Sequence, residues 1–156
     1  MSLGEIAKNA GVGRATLHRH FSKKEELVLA IQKQSMTDTN EAVVNKLEDN
    51  MTALEQLEAM FSAIIPLGNR FHFLSTQITA DDEVRAQYAS QLKWLAQLVD
   101  DLKQEGVVSE SMPSRWAVAQ LDQLIWTAWG EVASGFLAAA NAAALALRTF
   151  THGAQA

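Results

Sequence analysis

The segment from Ser2 to Phe21 admits few conformations. Ser2-Leu3-Gly4-Glu5 has the spacing of a capping box, in which a serine hydroxyl and a glutamate carboxylate satisfy amides at a helix start. Leu3, Ile6, Ala7 and Ala10 then recur at helical intervals, and Gly11 stands where a left-handed stop is needed. Gly11-Val12-Gly13 is too short for anything but a tight turn. A second short helix is predicted over Arg14–His20, with Leu17 and Phe21 on its apolar side. Ser22-Lys23-Lys24-Glu25 repeats the capping-box spacing and opens a longer helix, whose stripe is Leu27, Val28, Ile31 and Ser35, then Ala42, Val43 and Leu47. Two short helices joined by a glycine turn form the pattern of a helix-turn-helix.

The rest of the chain also reads as helix. Only two prolines and eight glycines interrupt 156 residues, which favours long helices over many short strands. A helix is predicted from about Thr52 to Ile65, stopped by Pro66. A short apolar segment, Arg70–Gln77, follows. Asp81-Asp82-Glu83 places acids at the start of a further helix that ends at Gly106, where they complement its dipole. Pro113 suits the first position of a helix reaching about Gly135. The last helix, about Ala138–Thr151, is alanine-rich. No alternating run is long enough for a strand. The fold class is all-α: an N-terminal helix-turn-helix over residues 1–34, including the start of a linking helix, then a helical-bundle body over 35–156.

Charge divides along the same line. The net charge is −5, yet residues 1–34 hold six bases against three acids, with His18 and His20 in reserve, and the remainder holds seven against fifteen. A basic end on an acidic body suits one part that meets an anion and another that stays soluble. In a helix-turn-helix the second helix lies in the major groove with its N-terminal residues against base edges. Here these are Arg14, Ala15 and Thr16. Arginine reaches two guanine acceptors at once, and threonine bonds a base or phosphate or touches a thymine methyl. Arg19, His20 and Lys24 are placed to meet phosphate oxygens. Spacing alone leaves an ordinary helical hairpin with solvated charges as the other reading.

Other classes of function find little support. The absence of cysteine excludes a disulfide scaffold, a cysteine zinc site, an iron–sulfur cluster and thiol catalysis, and fits a cytoplasmic protein. No histidine pair at i, i+4 accompanies a carboxylate, and neither a phosphate-cradling glycine loop nor a nucleophile elbow is present. No metal, cofactor or enzymatic activity is expected. The longest apolar stretch, Gly135–Leu147, is broken by Asn141 and is well short of the roughly 20 residues that span a bilayer. The start of the chain does not read as a signal peptide, and no membrane partner is expected.

The run Leu3-Gly4-Glu5-Ile6-Ala7-Lys8-Asn9-Ala10-Gly11-Val12-Gly13-Arg14-Ala15-Thr16-Leu17-His18-Arg19-His20-Phe21 resembles the DNA-binding signature of the TetR family of transcriptional regulators, and Ser22 to Leu27 continue it. The resemblance implies base reading by Arg14, Ala15 and Thr16, backbone contact by His18, and phosphate contact by His20 and Lys24. His18 departs from the family's usual tyrosine. An imidazole still donates to phosphate, with shorter reach and a dependence on pH. The family also places one further helix before the segment matching Leu3–Ala10, so a chain starting at Met1 is expected to lack it and to bind DNA poorly.

The resemblance further implies a repressor released by a small molecule, acting on palindromic double-stranded operator DNA as a homodimer. An aromatic set in the body suits a pocket for an apolar or aromatic ligand, and the candidates are Met60, Phe61, Phe71, Phe73, Gln91, Trp94, Gln123, Trp126 and Thr127. Gln77 is a further polar candidate. Candidate interface residues on the last two helices are Leu121, Leu124, Ala128, Ala139, Ala143 and Phe150. A helical dimer that only binds a ligand is the alternative function, and a small helical enzyme a weaker one.

Overall fold

The computed structural model describes residues 2–77 and 81–154. Its elements are α1 (Leu3–Asn9), α2 (Arg14–His20), α3 (Lys24–Val44), α4 (Ala53–Ile64), the single turn α5 (Gly68–Phe71), α6 (Asp82–Gln104), α7 (Ser114–Ala133) and α8 (Ala139–Ala154). Short 3₁₀ turns, Ile65–Leu67 and His72–Thr76, flank α5. No strand occurs among the described residues, so the chain is all-α.

Local chemistry sets the boundaries. Ser2 Oγ accepts from the Glu5 amide at 3.3 Å, and the Glu5 carboxylate accepts from the Ser2 amide at 2.6 Å, so the expected box forms. Thr52 and Glu55 build a second box at the start of α4. That end is also capped from a distance: Glu105, just past α6, accepts from the Ala53 and Leu54 amides at 2.6 and 3.2 Å. Gly11, Gly106 and Gly135 take positive φ after α1, α6 and α7, the left-handed stop that glycine adopts without steric cost. One expected cap differs in register. Ser22 donates through its amide and its hydroxyl to Glu26, both at 2.7 Å, so Glu26 rather than Glu25 is its partner and α3 starts at Lys24. Pro113 lies one position outside α7, as its N-cap.

The main core is built where α4, α6, α7 and α8 meet. Leu57, Phe61, Ile65, Leu98, Val99, Leu102 and Leu121 are fully buried there. A smaller cluster of Phe71, Leu74 and Trp129 lies against it, and Val28 and Ile31 of α3 pack on its other side. Trp129 joins the two, because its indole N–H donates to the Ile64 carbonyl at 2.8 Å. Leu121, Ala128, Ala143 and Phe150, expected at a subunit interface, are buried inside the chain's own core. The apolar stripes of α7 and α8 face each other and α4, which leaves these four no surface to offer a partner.

Close packing of α5 on α7 depends on Gly68. A Cβ at that position would lie 2.8 Å from the Trp129 Cα, a backbone atom that cannot yield. Gly68→Ala is therefore expected to destabilise the protein by about 1–3 kcal/mol despite alanine's better helix propensity. Thermal melting checks this, with Gly4→Ala as the control. There a Cβ meets only the Arg14 side chain at 3.6 Å or more, and the melting temperature should stay or rise.

Candidate functional site

The basic end presents a fully accessible surface. Arg14, Ala15, Thr16, His18, Arg19, His20 and Lys24 are all exposed, while Leu3 and Ala7 are buried and Ile6, Leu17 and Phe21 half-buried beneath them. Helix α2 begins at Gly13 with no side-chain cap and no acid in its first turn, so its free amides and the adjacent Arg14 and Thr16 face outward with nothing to repel an anion. His18, Arg19 and His20 complete its last turn. The Ser22–Glu26 bonds fix the corner between α2 and α3 and hold the Glu26 carboxyl below its usual range.

The second feature lies in the body. A cavity of about 290 Å³ opens between α3, α4, α6 and α7. Ser35, Thr39 and Val43 of α3 form one wall. Met60 and Ile64 of α4 close the base. Tyr88, Gln91, Leu92 and Leu95 come from successive turns of α6, joined by Trp94. Asp122, Ile125, Trp126 and Trp129 share one face of α7, at intervals of three and four residues. Trp126 and Trp129 meet edge-to-face with centroids 5.1 Å apart. The lining is mostly apolar with few polar groups, and such a composition is typical of small-molecule sites.

Four of the nine residues expected in a pocket line this cavity: Met60, Gln91, Trp94 and Trp126. The other five do not. Phe61 is sealed in the main core and Phe71 in the smaller cluster. Phe73 is 43% exposed, and Gln123 and Thr127 lie on the outward face of α7. Gln77 is half-buried in the segment after the second 3₁₀ turn and is no part of the lining. The cavity's own polar pair was missed. Tyr88 Oη donates to Asp122 Oδ2 at 2.8 Å across 34 residues of sequence. Burial pushes the Asp122 carboxyl above the ordinary carboxylate range, against the opposing pull of the Tyr88 bond, and burial together with Asp122 pushes the Tyr88 hydroxyl up.

Helix α3 is common to both features, and polar links join the apolar contacts of Val28, Ile31 and Val43 in attaching it to the body. Lys33 pairs with Glu83, and with Asp81 at 3.9 Å. Asp38 pairs with Arg70 at 2.9 Å. Gln91 Nε2 donates to Thr39 Oγ1 at 3.1 Å and to Asn40 Oδ1 at 2.9 Å. The only residues of α3 that are fully buried are Gln32 and Ser35. Among the described residues no group of three or more histidine or acidic side chains is placed to hold a metal ion, and no helix is long and apolar enough to cross a membrane.

An exposed helix-turn-helix carried on an all-α body with an apolar cavity between its helices defines the class. Residues 1–31 match the family model of the bacterial regulatory proteins of the tetR family. The N-terminal segment of the chain is thus similar to the DNA-binding unit of that family. The chain is 26% identical over 129 residues to the fatty acid metabolism regulator protein of Bacillus subtilis (strain 168), covering 80% of this chain and just under two thirds, 66%, of the relative. Its fold is similar to that of the ketosteroid transcriptional regulator KstR2 of Mycobacterium tuberculosis (TM-score 0.75, 19% identity, 100% of this chain and 85% of the other). It is also similar to that of the fatty acid degradation regulator FadR of Bacillus halodurans (TM-score 0.71, 16% identity, 98% and 85%).

The raised carboxyl of Asp122 has a consequence for stability. The folded protein holds this proton more tightly than the unfolded chain. Stability is therefore lost as pH rises from the ordinary carboxylate range through the raised value, and the loss is complete above it. Asp122→Asn keeps an acceptor for Tyr88 and removes the titration. It should melt on the order of a few degrees higher than wild type at pH 7, with the difference shrinking below pH 4. Melting curves across that range check the sign.

Proposed function

We propose that this chain is a DNA-binding transcriptional regulator, a repressor whose hold on its operator is released when a small apolar ligand enters the cavity. One observation carries the reading: α3 runs without a break from the corner beside the exposed reading helix to the wall of the cavity. A ligand pressing on Ser35, Thr39 and Val43 would tilt the helix that positions α2. The apolar lining suits an acyl or polycyclic body, in keeping with relatives named for fatty acid and ketosteroid regulation. In this reading residues 1–34 read DNA, and residues 35–156 sense the ligand and pair with a second copy.

The pairing surface is the outward face of α7 and α8 rather than their buried stripes. Trp116 is 60% exposed and Leu145 43%, and Ala119, Gln123, Thr127, Ala140 and Ala144 lie open beside them. Small residues allow close backbone approach, and the two large side chains would serve as anchors. Two-fold pairing would set two reading helices about 34–36 Å apart, as a palindromic operator requires. Leu145→Glu combined with Ala119→Glu should yield a monomer with the same helical content. A wild-type chain that sediments as a monomer at micromolar concentration would remove the interface.

The DNA roles are tested by selecting bound sites from a random duplex pool and measuring variants on the selected site. Arg14→Ala should lose preference at one base pair, by about 1–3 kcal/mol. Lys24→Ala should weaken every sequence alike and reduce the salt slope by about one. Equal losses on selected and unselected DNA in both variants would remove the assignment.

A further inference from the structure

Asp122 stands out among the residues around the cavity. Among the described lining residues it is the only acid, and there is no lysine, arginine or histidine. No ion pair among the described residues reaches it; the basic groups of α3, α5 and α6 that form pairs are turned to Asp38, Asp81, Asp82 and Glu83. Three of the nearby donor side chains are also committed. The Tyr88 hydroxyl donates to Asp122 itself, both N–H bonds from Gln91 go to Thr39 and Asn40, and the Thr39 hydroxyl donates to the Ser35 carbonyl at 2.8 Å. The cavity thus offers a carboxylate and the faces of Tyr88, Trp94, Trp126 and Trp129. It offers no positive charge.

An anionic head group drawn into this space would lose its hydration and meet a like charge. A cation would meet the opposite charge and rings whose faces are electron-rich. We propose that the cavity selects a lipophilic ammonium ion, its charge placed against Asp122 and its apolar body among the tryptophans, and that it rejects a free carboxylate. The assignment rests on the cavity being the ligand site proposed above.

Three probes of equal chain length separate the head groups: octyltrimethylammonium, octanol and octanoate. Each is titrated by tryptophan quenching, with Trp126→Phe showing which part of the signal arises in the cavity. In the wild type the ammonium should bind at least about tenfold more tightly than octanoate, and more tightly than octanol. Asp122→Asn should weaken the ammonium by about tenfold and leave octanol within about threefold. Retained octanol binding shows that the variant is folded with its cavity intact. Octanoate binding as well as the ammonium, or an Asp122→Asn variant that keeps its ammonium affinity, would overturn the assignment. Release of selected DNA is then measured with the best probe. Ammonium preference without DNA release would leave the cation site standing and remove the sensor reading. Tight octanoate binding with DNA release would do the reverse, and no binding by any probe would remove both.

Discussion

The structure depends on α3 remaining a single helix. At 21 residues it is roughly 30 Å long, enough to span both the DNA-reading unit and the cavity wall. Its sequence is not that of a core helix, since its two fully buried side chains are a glutamine and a serine. It is seated by ion pairs to α5 and α6 and by the bonds from Gln91, with Val28 and Ile31 touching the smaller cluster and Val43 the main core. The body, by contrast, is locked by a continuous apolar core and by the buried bond from Trp129 to Ile64. A frame locked by apolar packing thus carries a helix seated in part by polar links.

This contrast explains the placing of the polar pair at the cavity. Asp122 is held on a rigid helix, at a cost in stability, beside residues of α3 that could respond to what binds there. A carboxyl that is raised by burial against bonds from Tyr88 and Gln123 is an expensive way to fill space, and such groups concentrate at sites that act on ligands.

The helices were legible in the sequence because their ends are chemical. The box of Ser2 and Glu5, the glycine stops and the acids before α6 each satisfy a local need that four or five residues reveal. The cap at Ser22 shows the limit: glutamates at two adjacent positions could both answer it, and Glu26 is the one that does. The cavity was only half legible. Aromatic identity does not say which side of a helix meets a void and which meets a neighbour, so Met60 lines the cavity while Phe61, one residue on, fills the core. Tyr88 and Asp122 come together only once α6 and α7 are packed. The same ambiguity exchanged two faces of α7: Gln123 and Thr127 look outward, while Leu121 and Ala128 look in.

The polar seating of α3 also bounds how strongly the two ends of the molecule can communicate. In the proposed reading, a ligand would bias the reading helix only by the difference in its affinity for two positions of α3, which includes the links made in one position and lost in the other. Each exposed ion pair contributes from nearly nothing to about 1 kcal/mol, and each neutral hydrogen bond about as much. Exchanging a handful of such links would give a coupling of a few kcal/mol, a change in DNA affinity of about 5- to 150-fold rather than an absolute gate. Built this way, the chain would answer its ligand as a dimmer does, by degree.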